Sequence, residues 1–169
     1  TKTLDPYFSP PQELVRNFTF NCQNAGLAII EGNRGIHDGL DAFGSCSSAT
    51  LAKILGAPVL LVVDCTKMTR TVAALVLGCI QLDPEVAIGG IILNKLGTSR
   101  QETLIRQAIE HYTDVPVLGA LPRQRKPLLV ERKLGLSSVT DTSSAELDTI
   151  ASLITEHSDT EAIWRLASA

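Results

Sequence analysis

Residues 31–39, Glu31-Gly32-Asn33-Arg34-Gly35-Ile36-His37-Asp38-Gly39, interleave two carboxylates, an arginine and a histidine with three glycines. Polar density in a turn-forming stretch reads as a binding loop rather than a mere connection, because scaffolds carry their functional groups on loops. Glu31 is the sharpest candidate. It follows the apolar run Leu27-Ala28-Ile29-Ile30, and Gly32 lets the backbone turn close to a ligand. A carboxylate there suits a hard cation such as Mg²⁺, with phosphate oxygens completing the octahedron; a solvated strand end is the plain alternative. His37 has the chemistry of a general base, although a lone loop histidine more often only hydrogen-bonds. Ser47 and Ser48 precede a helix whose N-terminus can hold an anion or simply be capped.

Three further polar groups each follow an apolar run: Asp64-Cys65-Thr66, Asn94-Lys95 and Pro122-Arg123. The runs over residues 58–63, 88–93 and 115–121 do not alternate, which fits strands buried on both faces of a parallel sheet. Between them lie helical stripes: Leu51, Ala52 and Leu55; then Val72, Leu75, Val76 and Cys79; then Leu104, Ile105, Ala108 and Ile109. A first helix carries Leu14, Val15, Phe18 and Cys22, with Ser9 as its expected cap, and Gly56 sits where a left-handed helix end is expected. Capping boxes are expected at Ser99-x-x-Glu102, Ser143-x-x-Glu146 and Ser158-x-x-Glu161. The last two open helices bearing Leu147, Ile150, Ala151 and Ile154, and then Ile163, Trp164 and Leu166. Counting residues 27–30 as the first of four strands, the grammar is that of an α/β protein with a doubly wound, mostly parallel sheet. Residues 123–136 are the least regular part and read as a lid-like loop with a short helix. In open parallel sheets ligands bind beyond the carboxyl ends of the strands, so the polar groups together outline one edge as the candidate site.

Composition narrows the partners. The chain has 169 residues with a formal net charge of −3, which disfavours nucleic acid and anionic membranes as ligands. No apolar run approaches the roughly 18 residues of a spanning helix, and no signal-peptide pattern opens the chain. The expectation is a cytoplasmic protein. Its four cysteines, Cys22, Cys46, Cys65 and Cys79, include no C-x-x-C pair of the kind zinc fingers use. The opening on Thr1, with Leu4-Asp5-Pro6 soon after, reads as a piece of a longer polypeptide. Neither G-x-x-x-x-G-K-[ST] nor G-x-G-x-x-G occurs, although a complete phosphate-binding α/β domain normally carries one at its first strand.

The strings IIEGNRGIHDGLD, SSATLAKILGAPVLLVVDCTKMTRTVAALVLG, GGIILNKLGTSR and VPVLGALPR, with Leu4-Asp5-Pro6-Tyr7 ahead of them, resemble the cobyrinic acid a,c-diamide synthase family over roughly residues 4–140. The resemblance implies a P-loop NTPase-like, dethiobiotin-synthetase-like fold whose N-terminal strand and P-loop are missing here. It implies that residues 1–169 are a partial ATP-dependent synthetase domain, the C-terminal glutamine amidotransferase domain lying outside this chain. The implied reaction uses ATP and Mg²⁺ to convert the a and c carboxylates of cobyrinic acid, or a related tetrapyrrole, to carboxamides in cobalamin biosynthesis, with ammonia from glutamine. Carried over by position, Glu31 is the Mg²⁺ ligand, Asn94 meets the adenine, Pro122 and Arg123 flank the base, and Tyr7, Asp38, Gly39 and Arg70 face the corrinoid. Asp64 lies near the phosphate edge as the catalytic candidate. Two rivals remain open: a nickel-sirohydrochlorin a,c-diamide synthase, and a non-catalytic dethiobiotin-synthetase-like regulatory module. A sheet lacking its first strand has an unpaired apolar edge, so a homodimer is expected.

Overall fold

Ile91, Ile92 and Leu93 are consecutive and all buried. Successive strand side chains point to opposite faces, so this run requires cover on both sides of a sheet. The computed structural model, which describes residues 3–124 and 144–168, places it in the middle of a three-stranded parallel sheet. The order is β1 (Val59–Asp64), β2 (Ile88–Leu96), β3 (Val117–Pro122), with β2 between its neighbours. Helix α3 (Thr71–Leu82) connects β1 to β2, and α4 (Ser99–Tyr112) connects β2 to β3. Crossovers of one hand set these two helices side by side, and they pack on each other. Val72, Ala73 and Val76 of α3 and Ile105 and Ile109 of α4 close over Ile91, Leu93 and Leu96, with Cys65 and Ala120 completing the core. Each large side chain so buried contributes about 1.5–3 kcal/mol.

Upstream, α1 (Pro11–Cys22) lies against α2 (Ser48–Leu55), while α5 (Ser144–His157) and α6 (Thr160–Ala167) pack on β3 and β2. Where α5 meets α6 the chain touches the outer edge of β3. Gly119 bridges Ser158, and the Asp159 N–H donates to the Leu118 carbonyl at 2.7 Å. A Cβ at Gly119 would drive into Ser158, so this close approach needs the glycine.

Several expectations require correction. Residues 27–30 are not a strand: they join no ladder, and Ile29 is 86% exposed. A strand needs backbone partners, and among the described residues both sides of β2 are taken and nothing pairs with 27–30. Leu75 and Leu104 are half exposed despite their stripe positions; Ala73 takes the inward place on α3, because the buried arc is narrower than the apolar one. Helix starts shift by a residue. Thr98, not Ser99, caps α4 by accepting the Gln101 N–H, and Asp159, not Ser158, caps α6 by accepting the Ala162 N–H. Ser9 caps nothing, since α1 starts after Pro10 with Pro11 in its first turn. Ser47 does cap α2, and Gly56 ends it at φ +61°. Ser143, and the expected lid from residue 125 onward, lie outside the described residues.

Neighbours on α4 test this packing. Ile105→Ala should lower unfolding free energy by about 2–5 kcal/mol, and Leu104→Ala by roughly 1 kcal/mol or less. Denaturant titration of both variants checks it; equal losses would refute the orientation of α4.

Candidate functional site

The strand register brings the polar groups to one edge. Asp64 ends β1 and pairs directly with Asn94 of β2, and Leu96 pairs with Pro122 of β3. Asn94 therefore lies two residues inside the end of β2, not at its last position. The Cys65 N–H donates to the Asn94 carbonyl at 2.8 Å, and the Arg123 N–H donates to the Leu96 carbonyl at 2.7 Å. Asp64, Asn94, Pro122 and Arg123 thus share the carboxyl edge of the sheet, as the sequence pattern implies.

Lys95, which the sequence pattern places at this edge beside Asn94 without a role of its own, is central there. Its Nζ donates to Asp64 Oδ2 at 2.7 Å, and its own N–H donates to Asn94 Oδ1 at 2.9 Å. Its φ of +59° is a left-handed conformation that favours glycine, and Lys67 on the β1–α3 turn has the same habit at +57°. The Lys95 ammonium, then the hydroxyl and N–H of Thr66, hold the Asp64 carboxyl far below the usual carboxylate range. Asp64 is thereby a fixed negative charge and a poor proton acceptor near neutral pH. Burial pushes the Cys65 thiol up, which leaves it a packing group and not a thiolate.

Gln101 was missed as well. The signal for it was present: Thr98-x-x-Gln101 has the spacing of a capping box, one residue ahead of the expected one, although its side chain accepts from Gly97 and not from the Thr98 N–H. Its Oε1 accepts the Gly97 N–H at 2.8 Å, and its Nε2 donates to the carbonyls of Cys65 at 2.6 Å and Met68 at 2.7 Å.

The 31–47 loop is built separately from that edge. Gly32 lies against Ser48, whose hydroxyl donates to the Asn33 carbonyl at 3.5 Å, and the Ala49 N–H donates to the Ile36 carbonyl at 2.9 Å. Glu31 is exposed beside α2 and follows no strand, because residues 27–30 form none. Asp38 accepts the Gly35 N–H at 3.0 Å, a turn-forming role. A Cβ at Gly39 would collide with the Ser45 carbonyl, which is why glycine sits there. His37 is an anchor: Nε2 donates to the Cys79 carbonyl of α3 at 2.9 Å. That contact falls nine residues along from Arg70, about 13 Å of helix. No hydrogen bond among the described residues joins Asp38 or Gly39 to Arg70. Arg70 instead donates to the Tyr112 hydroxyl, with its guanidinium carbon 5.3 Å from that ring's centre. The pair overlooks a cleft of about 410 Å³ also lined by Ala73, Ala74 and Leu77. Tyr7 is exposed, stacked edge-on against Phe8.

The donor sets fit the implied groups in part. Asn94 has its oxygen engaged by Lys95 while its Nδ2 keeps no partner among the described residues, as a base-reading amide requires. For a magnesium ion, which usually takes one or two carboxylates and fills its shell with water and phosphate, Glu31 is one exposed oxygen donor. No three His, Cys, Asp or Glu gather into a metal cluster among the described residues.

Residues 15–128 match the model of a family described as an AAA domain. The chain is 42% identical, over 99% of its length, to the Cobyrinate a,c-diamide synthase of Magnetococcus marinus. It is 42% identical over 98% to the Hydrogenobyrinate a,c-diamide synthase of Brucella anthropi, and 36% over 99% to the Cobyrinate a,c-diamide synthase of Archaeoglobus fulgidus. It covers 36%, 38% and 37% of those proteins respectively, so it spans little more than a third of the curated relatives it matches. No solved structure matches the chain significantly.

The Asp64–Lys95 pair sets a pH dependence. The folded pKa lies below the ordinary 3.8, so the native state binds fewer protons than the unfolded chain in acid. The resulting stability is present above about pH 4 and drains away as pH falls toward the native value. Lys95→Met should move the Asp64 carboxyl titration, followed by carbon NMR, up toward the ordinary value. It should also flatten the acid limb of the stability profile, and strong salt should reproduce part of the effect because both side chains are half exposed.

Proposed function

The chain belongs to the AAA domain family, a P-loop NTPase-like group, and from that premise we propose that it is part of the synthetase portion of an ATP-driven amidoligase, one that converts the a and c carboxylates of a cobyrinate-type ring to carboxamides in cobalamin biosynthesis. The observation that carries this reading is the 42% identity over 99% of the chain to a protein named for that conversion. Relatives of equal identity bear the cobyrinate and the hydrogenobyrinate name, so the reading commits to a,c-diamidation of this ring type. The amide nitrogen comes from glutamine, through a glutaminase domain elsewhere in the same polypeptide. A homodimer in the cytoplasm extends the same reading.

Bound ATP and Mg²⁺ supply the activation of a ring carboxylate toward ammonia. The residues of this chain do the rest of the local work. Asn94 turns its Nδ2 toward the adenine from β2, and Pro122 and Arg123 border the base from β3. Glu31 contributes the carboxylate oxygen for Mg²⁺. Asp64 acts as a fixed charge that keeps Lys95 in place at the phosphate edge, a role that suits its low pKa better than proton transfer. Arg70, oriented by Tyr112 and retaining further N–H donors, meets a ring carboxylate. Tyr7, Asp38 and Gly39 shape the remaining ring contacts, Gly39 through the backbone path it permits.

The direct test incubates the complete polypeptide with the ring substrate, ATP, Mg²⁺ and glutamine, and reads two carboxylate-to-carboxamide conversions by mass spectrometry. Within it, Glu31→Gln should cut kcat/KM for amidation by about 10²-fold, equivalent to roughly 2.7 kcal/mol, while glutaminase activity assayed separately survives. Amidation within a few-fold of wild type, together with its abolition by Asp64→Asn, would move the metal assignment to Asp64.

A further inference from the structure

We propose that Gln101 is a positioning residue that clamps the β1–α3 turn to the β2–α4 turn, and so holds the edge carrying Asp64, Asn94 and Lys95 in the geometry that receives the nucleotide. The second half of this rests on the nucleotide reading above; the first half stands on the geometry alone.

The two turns need a clamp. Cys65 to Met68 closes as a tight turn, the Met68 N–H donating to the Cys65 carbonyl at 3.1 Å, with Lys67 at φ +57° inside it. A left-handed lysine is unfavourable by itself and persists only where its surroundings over-determine it. On the neighbouring strand Lys95 has the same conformation, two residues before Gly97. One amide grips both. Its Nε2 takes the carbonyls of Cys65 and Met68, which bracket Lys67, and its Oε1 takes the Gly97 N–H. Both N–H donors are thus used across 36 and 33 residues of sequence, and an acceptor lone pair across four.

The other ties between these turns are weaker or lie deeper in the sheet. The Asp64–Lys95 pair is half in water, where salt screens it and long side chains spend entropy to keep it. The Cys65-to-Asn94 backbone bond continues the ladder and reaches no further along either turn. The Gln101 amide is partly shielded, so its loss leaves carbonyls that water serves poorly. Two neighbours of the clamp are site groups. The Thr66 N–H, inside the clamped turn, donates to Asp64 Oδ1 at 2.9 Å, and the Lys95 backbone, just before Gly97, donates to Asn94 Oδ1. Loosening the turns therefore releases Asp64 from Thr66 and Asn94 from Lys95 together.

A helix cap alone behaves differently, and this makes the test discriminating. Thr98→Val removes the side chain that caps α4 while leaving the Gln101 amide in place. In the complete polypeptide, Gln101→Glu keeps size and an acceptor but removes both donors and sets negative charge against two carbonyls; Gln101→Met removes the amide without charge. Three readouts are taken on each: melting temperature, the carbon NMR titration of the Asp64 carboxyl, and ATP affinity by calorimetry. Both Gln101 variants should raise the Asp64 titration toward its ordinary value and weaken ATP about tenfold. Thr98→Val should lower the melting temperature with the other two readouts unchanged. If a folded Gln101→Met titrates at Asp64 and binds ATP as wild type does, or if Thr98→Val matches it in all three readouts, Gln101 is only a cap and the inference falls. If wild type binds no ATP yet the Gln101 variants still shift Asp64, the clamp stands and the nucleotide reading fails.

Discussion

Pairing of β2 with strands on both sides is the constraint from which the rest of the structure follows. Ile91 and Leu93 enter the α3–α4 core, where neither has any exposure, and this pins β2 in depth and in rotation. Because side chains alternate with a strict period of two, a slip of one residue would turn both out of the core and bring Gly90 and Ile92 in. The register that buries them also sets Asp64 opposite Asn94 and Leu96 opposite Pro122. The polar edge is thus a consequence of apolar packing: once Leu93 is buried, Asn94 and Lys95 have only one place to go.

That edge departs from regular geometry at the points where it carries charge. Two lysines, Lys67 three residues after Asp64 and Lys95 just after its ladder partner Asn94, take left-handed backbone conformations where glycine would be cheaper. The compensation is visible for Lys95, whose ammonium reaches back along the sheet to Asp64 and whose N–H meets the side chain before it. Kinking the backbone after Asn94 changes which way the end of β2 leads and lets the Arg123 N–H reach the Leu96 carbonyl. Strain of this sort is tolerated where the packed scaffold beneath it is rigid, and here the scaffold is the buried middle of β2.

The sheet was legible because burial on both faces leaves an unambiguous mark. Residues 58–63, 88–93 and 115–121 read as strands and became Val59–Asp64, Ile88–Leu96 and Val117–Pro122. The same signal misled at residues 27–30, since an apolar run states a preference for burial but cannot supply the ladder partner. Helix starts were misplaced by one residue for a local reason. Thr98-Ser99 and Ser158-Asp159 each offer two adjacent oxygen-bearing candidates, and only backbone dihedrals decide which one stands outside the helix. The common edge position of Asp64, Asn94, Pro122 and Arg123 was legible because these residues stand where apolar runs end. The capping spacing of Gln101 from Thr98 is local, but the reach of Lys95 to Asp64 and of Gln101 to Cys65 and Met68 spans 31 to 36 residues, which no local pattern encodes.

The 31–47 loop shows how far residue type underdetermines role. Its acids and glycines are what a ligand loop would carry, yet much of that equipment serves the loop itself. Asp38 closes one turn on Gly35, and Asp41 accepts the N–H groups of Phe43 and Ser45; the Ser45 hydroxyl, then the N–H groups of Ser45 and Phe43, hold its carboxyl below the ordinary range. Gly39 yields space to the Ser45 carbonyl, and His37 moors the loop to α3. What these bonds produce is a path that ends with Phe43 held out in solvent, 95% exposed, and Glu31 with no hydrogen bond among the described residues. An oxygen that accepts a turn N–H is aimed by that bond at the chain's own backbone, as Asp38 Oδ2 is at Gly35. The groups in this loop still able to meet a charged or apolar partner are therefore the ones it does not spend on its own backbone. By that reasoning Glu31 is a better ligand candidate than Asp38, although both are carboxylates on the same glycine-rich stretch.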